Sequence, residues 1–489
     1  MSAAATTPGP HHAQKVTLGT LAGVVGFLAF VEFTSGVLQG YYTPMLTDIA
    51  RALGIPDADV NWLEGTQLML SALVVPAMAK LGDMVGHKRM LLVSTAVTAA
   101  ASLVLPFTTA FGLFLAAWAL QGFYVVWLPL EVALIWSRSQ RSGGRALVTA
   151  RAAGILVAAL ETGAIVGALT GGALVDLLPL TVVLLVPALL VVVCFVVVLW
   201  GVRESPDPTG GRLDTVGLTL VSLALLAFTG GLSLLRLNGP GDVVAWSVTA
   251  LGILLMVPFV LWELRQADPL VDVRMFRSPA LGPVFVTAGL FGVSVLGAQA
   301  PLSTFARTDP EVYGYGLGTS GFQTSLIIGV YLIAMIAGAL TYPVVARRLT
   351  PRLTLLVAAV LVGAGFLLFL PFHTAYGQVV TNMVVVGIGS GALVGALPAA
   401  AASAAPPTQT GVATGLTNSV KTVGGAIASC VFGIALFRGT TGTGVAADGT
   451  AGAFSGYVTV WVVCGVTALV AALLLLFVPR QAFTDRAAA

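Results

Sequence analysis

The sequence predicts an all-α membrane protein, and three observations support this fold class. Apolar residues make up 57% of the 489-residue chain, only 9% of its residues are charged, and the mean hydropathy is +0.98. Soluble domains carry about a quarter charged residues, so this composition excludes an ordinary water-facing fold. The other two observations are a series of apolar segments long enough to cross a bilayer and a strong bias of basic residues toward alternate loops.

The apolar segments predict fourteen transmembrane helices. A helix rises 1.5 Å per residue, so about 20 residues cross a hydrocarbon core of about 30 Å. We place the helices at residues 18–40, 61–80, 90–110, 112–135, 150–174, 179–201, 215–236, 245–263, 281–304, 320–345, 353–371, 378–402, 412–437 and 456–478.

The basic residues predict a multi-pass protein of the cell membrane with both termini in the cytosol. If the N-terminus is cytosolic, most of the 23 lysine and arginine residues fall in cytosolic loops. The outer loops then hold Arg51, Arg236, Arg307 and Arg438. Lysine and arginine are retained on the cytosolic side of membrane proteins, so this asymmetry sets the orientation.

Composition and motifs also exclude several functions. The net charge of +3 is too small to indicate binding of nucleic acid. Cys194, Cys430 and Cys464 all lie in apolar segments, which argues against a disulfide framework. The sequence contains no metal-ligand cluster, nucleophile elbow or phosphate loop, so we expect no metal, no cofactor and no enzymatic activity. The expected partners are a small-molecule substrate and the bilayer, with the protein working as a monomer.

Residues 161–172, ETGAIVGALTGG, carry glycines at a helical spacing: Gly163, Gly167, Gly171 and Gly172. Glycines four residues apart share one helix face and allow a second backbone to approach closely. Plain helix packing is the alternative interpretation. The segment resembles the antiporter motif of the major facilitator superfamily, with Ala168 at the position where that family usually has proline.

The loop after the second predicted helix, residues 79–89, contains Gly82, Asp83, Gly86, Lys88 and Arg89. The two glycines permit a tight turn, and Asp83 is expected to face helix N-terminal N–H groups or a cation. An ordinary basic loop is the alternative. The loop resembles the cytosolic signature of the same superfamily, with Met84 in place of an arginine. The resemblance implies that Asp83 helps to latch the cytosolic side in the outward-facing state.

Further segments are similar to the fourteen-span drug:proton antiporter branch of this superfamily. They are residues 212–214, 268–277 and 418–426. Gln121 and Gly122 fit the fourth-span motif of the family, although Trp118 replaces its arginine, which the family links to proton coupling. The resemblance implies a major facilitator fold with two six-helix bundles and two inserted helices.

This resemblance predicts the domain organisation. A cytosolic tail at 1–17 precedes the first six-helix bundle at 18–201. A linker at 202–280 carries the two extra helices. The second six-helix bundle follows at 281–479, and the chain ends in a cytosolic tail at 480–489.

Ionisable residues inside the predicted helices are Glu32, Glu131, Glu161 and Lys421. Each costs about 2.5–3.5 kcal/mol at the bilayer centre, so they should line a cavity or form pairs. Glu32 also matches the first-helix acid of the antiporter branch. We interpret the three acids as proton-coupling or substrate residues. The alternatives are a structural acid at Glu32 or Glu161, a partner of Arg138 or Arg151 at Glu131, and, for Lys421, snorkelling or pairing with an acid.

These residues predict a proton-coupled secondary transporter that exports lipophilic, often cationic drugs or antibiotics by alternating access. Protons arriving from outside would protonate Glu32, together with Glu161, and release a substrate held by the ionised form. A proton symporter or facilitator that imports a small metabolite is the alternative. A membrane-embedded enzyme or receptor is a more distant one. The sequence does not identify the substrate or the proton stoichiometry.

Overall fold

A computed structural model describes residues 18–138, 145–204, 213–267, 269–406, 409–438 and 451–477. Within these ranges the chain is helical, with turns between helices and no strand. The predicted tails at 1–17 and 480–489 lie outside the described residues. The helices are α1 Leu18–Tyr41, α2 Leu46–Leu53, α3 Val60–Val85, α4 His87–Val104, α5 Phe111–Gln121, α6 Trp127–Arg138, α7 Arg145–Val175, α8 Leu180–Gly201, α9 Thr215–Asn238, α10 Val243–Glu263, α11 Gly282–Val295, α12 Gln299–Arg307, α13 Pro310–Tyr313, α14 Gly321–Arg348, α15 Pro351–Leu367, α16 Tyr376–Ala404, α17 Thr410–Arg438 and α18 Phe454–Leu475.

Each of the fourteen predicted transmembrane segments overlaps one helix or two consecutive helices. Twelve helical segments of the described chain are long and apolar enough to cross a membrane. The first helix, α1, is not among the twelve, and α15, with 17 residues, is shorter than they are. The all-α membrane fold is thus confirmed, whereas the count of fourteen spans stays a prediction.

Two hydrophobic cores divide most helices into two bundles. One core contains buried side chains from Val25 to Val202, together with Ala300. The other contains buried side chains from Met275 to Leu475, together with Ala58. We call α1–α8 the first bundle and α11–α18 the second bundle. Because each core includes one alanine from the other bundle, the two bundles are in direct contact.

The remaining two long helices, α9 and α10, pack on each other beside the bundles, and α9 also contacts α3 and α17. Arg236 near the end of α9 donates to Asp59 at the start of α3, with Nε 2.6 Å from Oδ1. The contact surface is a small apolar cluster of Trp62, Leu232, Leu235, Ala245 and Cys430. The inserted pair is therefore attached to both bundles at their junction.

Polar residues just before several helices fix where those helices begin. The Asp214 carboxylate accepts a 2.8 Å hydrogen bond from the Gly217 amide and caps α9. Ser320 and Gln323 form a capping box at the start of α14. Such caps satisfy amide groups that have no partner within the helix, which matters most where water is scarce.

The fourth predicted span is not one continuous α-helix. The α5 helix ends at Gln121, a 3₁₀ segment runs over Gly122–Val126, and α6 begins at Trp127. A short 3₁₀ segment between two α-helices changes the direction of the second helix relative to the first. The fourth-span motif lies at this break, and Glu131 lies one turn beyond it.

Candidate functional site

The glycines of α7 lie against the backbone of α1. A Cβ atom at Gly163 would collide with the carbonyl oxygen of Phe33, and one at Gly167 would lie 2.7 Å from that of Val37. Gly171 makes the same kind of contact one turn further along. These positions leave no room for a side chain, so the α1–α7 contact is a backbone-to-backbone contact.

Two glycines of α1, which the sequence analysis did not single out, complete this contact. A Cβ atom at Gly36 would collide with the carbonyl of Leu160, and one at Gly40 with that of Ala164. Gly36 and Gly40 have the same spacing of four as the glycines of α7. The signal was therefore present in the sequence, and α1 and α7 form a reciprocal glycine contact.

Glu32 on α1 and Glu131 on α6 lie next to each other in the core of the first bundle. Both side chains are completely buried, with 0% relative exposure. Their carboxyl groups are close enough to interact directly, but none of the four oxygens meets the geometry of a formed hydrogen bond with a described group. We therefore describe them as a close carboxyl pair. Arg138, one of the two cations considered for Glu131, has Arg203 and Glu204 as its charged neighbours.

Glu161 and Lys421 are the other ionisable residues of the predicted spans. Glu161 lies near the middle of α7 and Lys421 near the middle of α17, so they belong to different bundles. Both residues are partly exposed, and no hydrogen bond or ion pair within 4.0 Å joins them. The structure thus separates the candidate residues into a buried acid pair within the first bundle and two partly exposed residues of opposite charge on different bundles.

The fourth-span motif makes packing contacts inside the first bundle. The amide nitrogen of buried Gln121 donates to the hydroxyls of Tyr42 and Ser102 at 2.8 and 2.9 Å. A Cβ atom at Gly122 would lie 2.8 Å from the carbonyl oxygen of Gln67. Both residues hold the broken fourth span against its neighbours.

The loop between α3 and α4 marks one end of the molecule, which we call the Asp83 end. Gly86 has a φ of 120°, a conformation that favours glycine. Asp83 is 46% exposed, and its Oδ1 lies 3.2 Å from Nε2 of His87. Asp83 lies in the last turn of α3 and faces His87, the first residue of α4. Gly82 also lies within α3, so of the two glycines predicted to form the turn, Gly86 alone is at the turn and the prediction for Gly82 was wrong.

The N-terminus of α4 is occupied by Glu204. The sequence analysis expected Asp83 to face helix N-terminal N–H groups and did not single out Glu204. Its carboxylate accepts hydrogen bonds from the backbone N–H groups of Lys88 and Arg89 at 2.9 and 3.1 Å. A carboxylate is favoured there by the unpaired N–H groups and the helix dipole. Glu204 reaches this place because α8 ends beside the start of α4, a proximity that the sequence does not display.

The opposite end of the molecule, which we call the Arg307 end, joins the two bundles through charged groups. Arg307 of the second bundle donates from Nη2 to both carboxylate oxygens of Asp48 at 2.8 Å. Asp176 of the first bundle accepts from the backbone N–H groups of Gly321 and Phe322, at the start of α14, at 2.8 and 2.9 Å. These hydrogen bonds and ion pairs between described residues link the two bundles at this end.

Backbone packing reinforces the Arg307 end. A Cβ atom at Gly172 would collide with the carbonyl of Gly321, and Ser303 donates to the carbonyl of Thr43. The last glycine of the α7 run therefore faces the second bundle, whereas the other three face α1. The sequence analysis named Arg307 only as an outer-loop cation and did not single out Asp48 or Asp176.

Replacing Arg307 with methionine is expected to open this end of the molecule. Asp48 would lose the cation that hydrogen-bonds to it while remaining partly buried. Removing one member of such a pair costs about 2 kcal/mol, which lowers the ratio of closed to open molecules roughly 30-fold. Spin labels at Leu177→Cys and Val312→Cys, both exposed positions, would report the opening as a longer inter-label distance.

The matched control is Arg51→Met. Arg51 also approaches Asp48, at 3.8 Å, but its side chain is 57% exposed, and exposed pairs contribute little. Both variants require a background in which the three buried cysteines are replaced. An unchanged distance in the Arg307→Met variant would contradict the assigned role of Arg307.

Comparison with known proteins identifies the family. A sequence model of the Major Facilitator Superfamily matches residues 28–429 and, in a second match, residues 310–488. The chain is 28% identical over 446 residues to the cephamycin export protein of Amycolatopsis lactamdurans, covering 88% of this chain and 86% of that protein. It is 26% identical over 395 residues to the tetracenomycin C resistance and export protein of Streptomyces glaucescens, covering 77% and 69% respectively.

The fold agrees with this assignment. The crystal structure of the nucleoside transporter NupG matches with a TM-score of 0.62 over 94% of this chain and 98% of that chain, at 15% identity. No group of three or more histidine, cysteine, aspartate or glutamate side chains that could hold a metal occurs within the described ranges. The chain belongs to the Major Facilitator Superfamily and is a membrane transporter, not an enzyme.

Proposed function

We propose that this transporter exports lipophilic, often cationic small molecules from the cytosol in exchange for protons. Its relatives include proteins named for export of cephamycin and of tetracenomycin C, which supports the direction of transport and an antibiotic-like substrate. Protons are the coupling ion of the proposal, and no other cofactor is needed. We place the protein in the cell membrane, working as a monomer.

The observation that carries the coupling proposal is the buried pair of Glu32 and Glu131. Both carboxyl groups are at 0% exposure and adjacent. Two ionised carboxylates in one dry pocket would suffer both desolvation and mutual repulsion, so the pair is suited to hold a proton. Because Glu32 lies on α1, whose backbone contacts α7, a change in its charge would act directly on the glycine contact between these helices.

Alternating access gives the two ends of the molecule their proposed roles. In this proposal the Arg307 end lies outside and the Asp83 end in the cytosol, an orientation that the basic-residue bias supports. With the Arg307 end closed by its charged contacts, the described conformation corresponds to an inward-facing state. In the outward-facing state those contacts would separate and the Asp83 end would close. The latch role that the family resemblance implies for Asp83 belongs to that second state.

The proposed transport cycle uses separate sites for the substrate and for the proton. Substrate enters the gap between the bundles, where Glu161 is partly exposed, while the proton resides on the sealed Glu32–Glu131 pair. In the inward-facing conformation a substrate cannot touch Glu32. Proton and substrate therefore affect each other through the positions of α1 and α7, together with any direct competition at Glu161.

Everted membrane vesicles test the proposal. Their interior corresponds to the outside of the cell, so an acid interior should drive accumulation of a lipophilic cation such as ethidium. A pH dye should report proton release from the vesicles when the drug is added. Drug accumulation that does not depend on the pH gradient would indicate a facilitator. Movement of drug and proton in the same direction would indicate a symporter. Either result would overturn the antiport proposal.

A further inference from the structure

The inserted helices α9 and α10 form a hairpin whose tip lies at the Arg307 end of the molecule. Arg236, in the last turn of α9, contacts Asp59, which directly precedes α3 at the end opposite Asp83. The start of α9 and the end of α10 therefore lie at the Asp83 end. There the segment after α10 packs on the second bundle, because the rings of Phe276 and Phe285 are 5.0 Å apart. The tip of the hairpin, in contrast, is held by side-chain contacts.

Arg236 contacts both bundles at once. Its guanidinium group donates two hydrogen bonds to the carboxylate of Asp59 in the first bundle, and the bond from Nε measures 2.6 Å. The same group lies over the ring of Phe437, near the end of α17 in the second bundle, with Cζ 5.2 Å from the ring centroid. The Asp59 side chain is 2% exposed and that of Arg236 is 14% exposed. Water therefore competes little with either contact.

The two helices that Arg236 connects also meet directly. A Cβ atom at Gly65 of α3 would lie 2.7 Å from Sγ of Cys430 in α17. A Cβ atom at Gly433 of α17 would lie 3.3 Å from the carbonyl oxygen of Ala58, just before α3. We call this contact the α3–α17 seam. It joins the two bundles toward the Arg307 end, so opening of that end must separate α3 from α17, and Arg236 spans the two.

We propose that Arg236 is a positioning residue of the transport cycle, which holds the α3–α17 seam closed in the described conformation and releases Phe437, but not Asp59, when the Arg307 end opens. Two charge-assisted hydrogen bonds hold Asp59, whereas a single ring face holds Phe437. Release of Asp59 would also leave a buried carboxylate without its cation, which is the costlier separation.

The tip of the hairpin therefore moves with the first bundle, while the end of α10 stays on the second bundle. This inference goes beyond the proposed function, because it depends neither on the exported compound nor on the coupling ion.

The variant that tests the contact is Phe437→Leu, which removes the ring face and leaves the pair of Arg236 and Asp59 intact. Spin labels at Leu177→Cys and Val312→Cys, in a background without the three native cysteines, report the ratio of closed to open molecules. Loss of the cation–π contact should lower this ratio about three- to tenfold. The measurement is made in the wild type and in Arg307→Met, in which more molecules are expected to be open.

Two further variants separate the ring face from general packing. Phe437→Tyr keeps an aromatic face at this partly exposed position and should give the wild-type ratio. Phe477→Leu is the matched control, because Phe477 is 75% exposed and lies beyond α18 at the opposite end of the molecule. An unchanged ratio in Phe437→Leu in both backgrounds would overturn the inference. An equal shift in Phe437→Leu and Phe437→Tyr would do the same, since the ring face would then not be the cause.

A second pair of distances tests which contact is released. Leu237, at the tip of the hairpin, is 64% exposed and is labelled as Leu237→Cys. It is paired with Phe107→Cys, an exposed position of the first bundle between α4 and α5, or with Val312→Cys of the second bundle. In the Arg307→Met/Phe437→Leu double variant, the distance from Leu237 to Val312 should gain a longer component, whereas that to Phe107 should not change.

The opposite pattern, a longer component in the distance from Leu237 to Phe107 alone, would show that Asp59 is the partner released and would overturn the assignment. All of these distances are measured without substrate and without a pH gradient. Their failure would therefore leave the vesicle test of the export function unaffected, and failure of that test would leave the role of Arg236 open to the same measurements.

Discussion

Replacing Glu32 with glutamine is expected to reduce proton-driven export to background while the protein still folds and binds substrate. Glutamine keeps the size of the side chain and much of its hydrogen-bonding capacity, but it cannot take up or release a proton. Glu32 and Glu131 are adjacent and fully buried, so the variant would leave a single acid that no longer has a charged neighbour. Glu131 alone lacks the repulsion between two carboxylates on which the proposed coupling depends, so we expect the conformational change to proceed without proton transport.

Two transport modes measured in proteoliposomes distinguish loss of coupling from loss of structure. Export driven by a pH gradient should disappear in Glu32→Gln, whereas exchange of labelled for unlabelled substrate at equal pH should continue, because exchange requires no net proton movement. Glu311→Gln is the matched control, since Glu311 is an exposed acid of the short helix α13 at the Arg307 end. Proton flux at the wild-type level in Glu32→Gln would show that Glu32 is not the coupling acid.

Placing leucine at Gly163 is expected to cause the second large loss. The Cβ atom alone would collide with the carbonyl of Phe33, which belongs to the backbone of α1 and cannot rotate away. Overpacking of a tight contact costs about 1–3 kcal/mol, and a clash with backbone belongs at the upper end of that range. We expect a lower midpoint of thermal unfolding in detergent and loss of most export.

Gly154→Leu provides a control on the same helix. Gly154 also lies in α7, but a Cβ atom there would have nothing within 4 Å. Both substitutions replace glycine with a better helix former, so the difference between them isolates the contact with α1. Equal unfolding midpoints and equal export in the two variants would contradict the importance of the α1–α7 contact for transport.

The glycine contact and the acid pair are physically connected. Glu32 directly precedes the α1 residues that touch α7, because the carbonyl of Phe33 meets Gly163 and Gly36 meets the carbonyl of Leu160. A backbone contact of this kind tolerates little adjustment, since no flexible side chain separates the two helices. A change of charge at Glu32 that moves α1 must therefore move α7 as well. This connection explains why we expect both substitutions to affect transport strongly.

By itself, the sequence determined the fold class, the positions of the apolar helices and the set of residues worth testing. In a bilayer each backbone polar group must be satisfied within its own segment, so a chain with this composition has to form helices. Ionisable residues in such helices are rare and costly, which made Glu32, Glu131, Glu161 and Lys421 stand out. The spacing of glycines indicated the contact face of α7.

Only the tertiary structure decided which of these residues meet. It placed Glu131 beside Glu32 and Glu204 at the N-terminus of α4. It also joined Asp48 to Arg307, which are 259 residues apart in the sequence. Each contact depends on how a helix is rotated about its axis. In a soluble protein an apolar stripe reveals that rotation, but lipid is as apolar as a protein core, so membrane helices carry almost no such stripe. Helix packing therefore determines which charged residues meet, whereas the sequence shows only which charged residues are present.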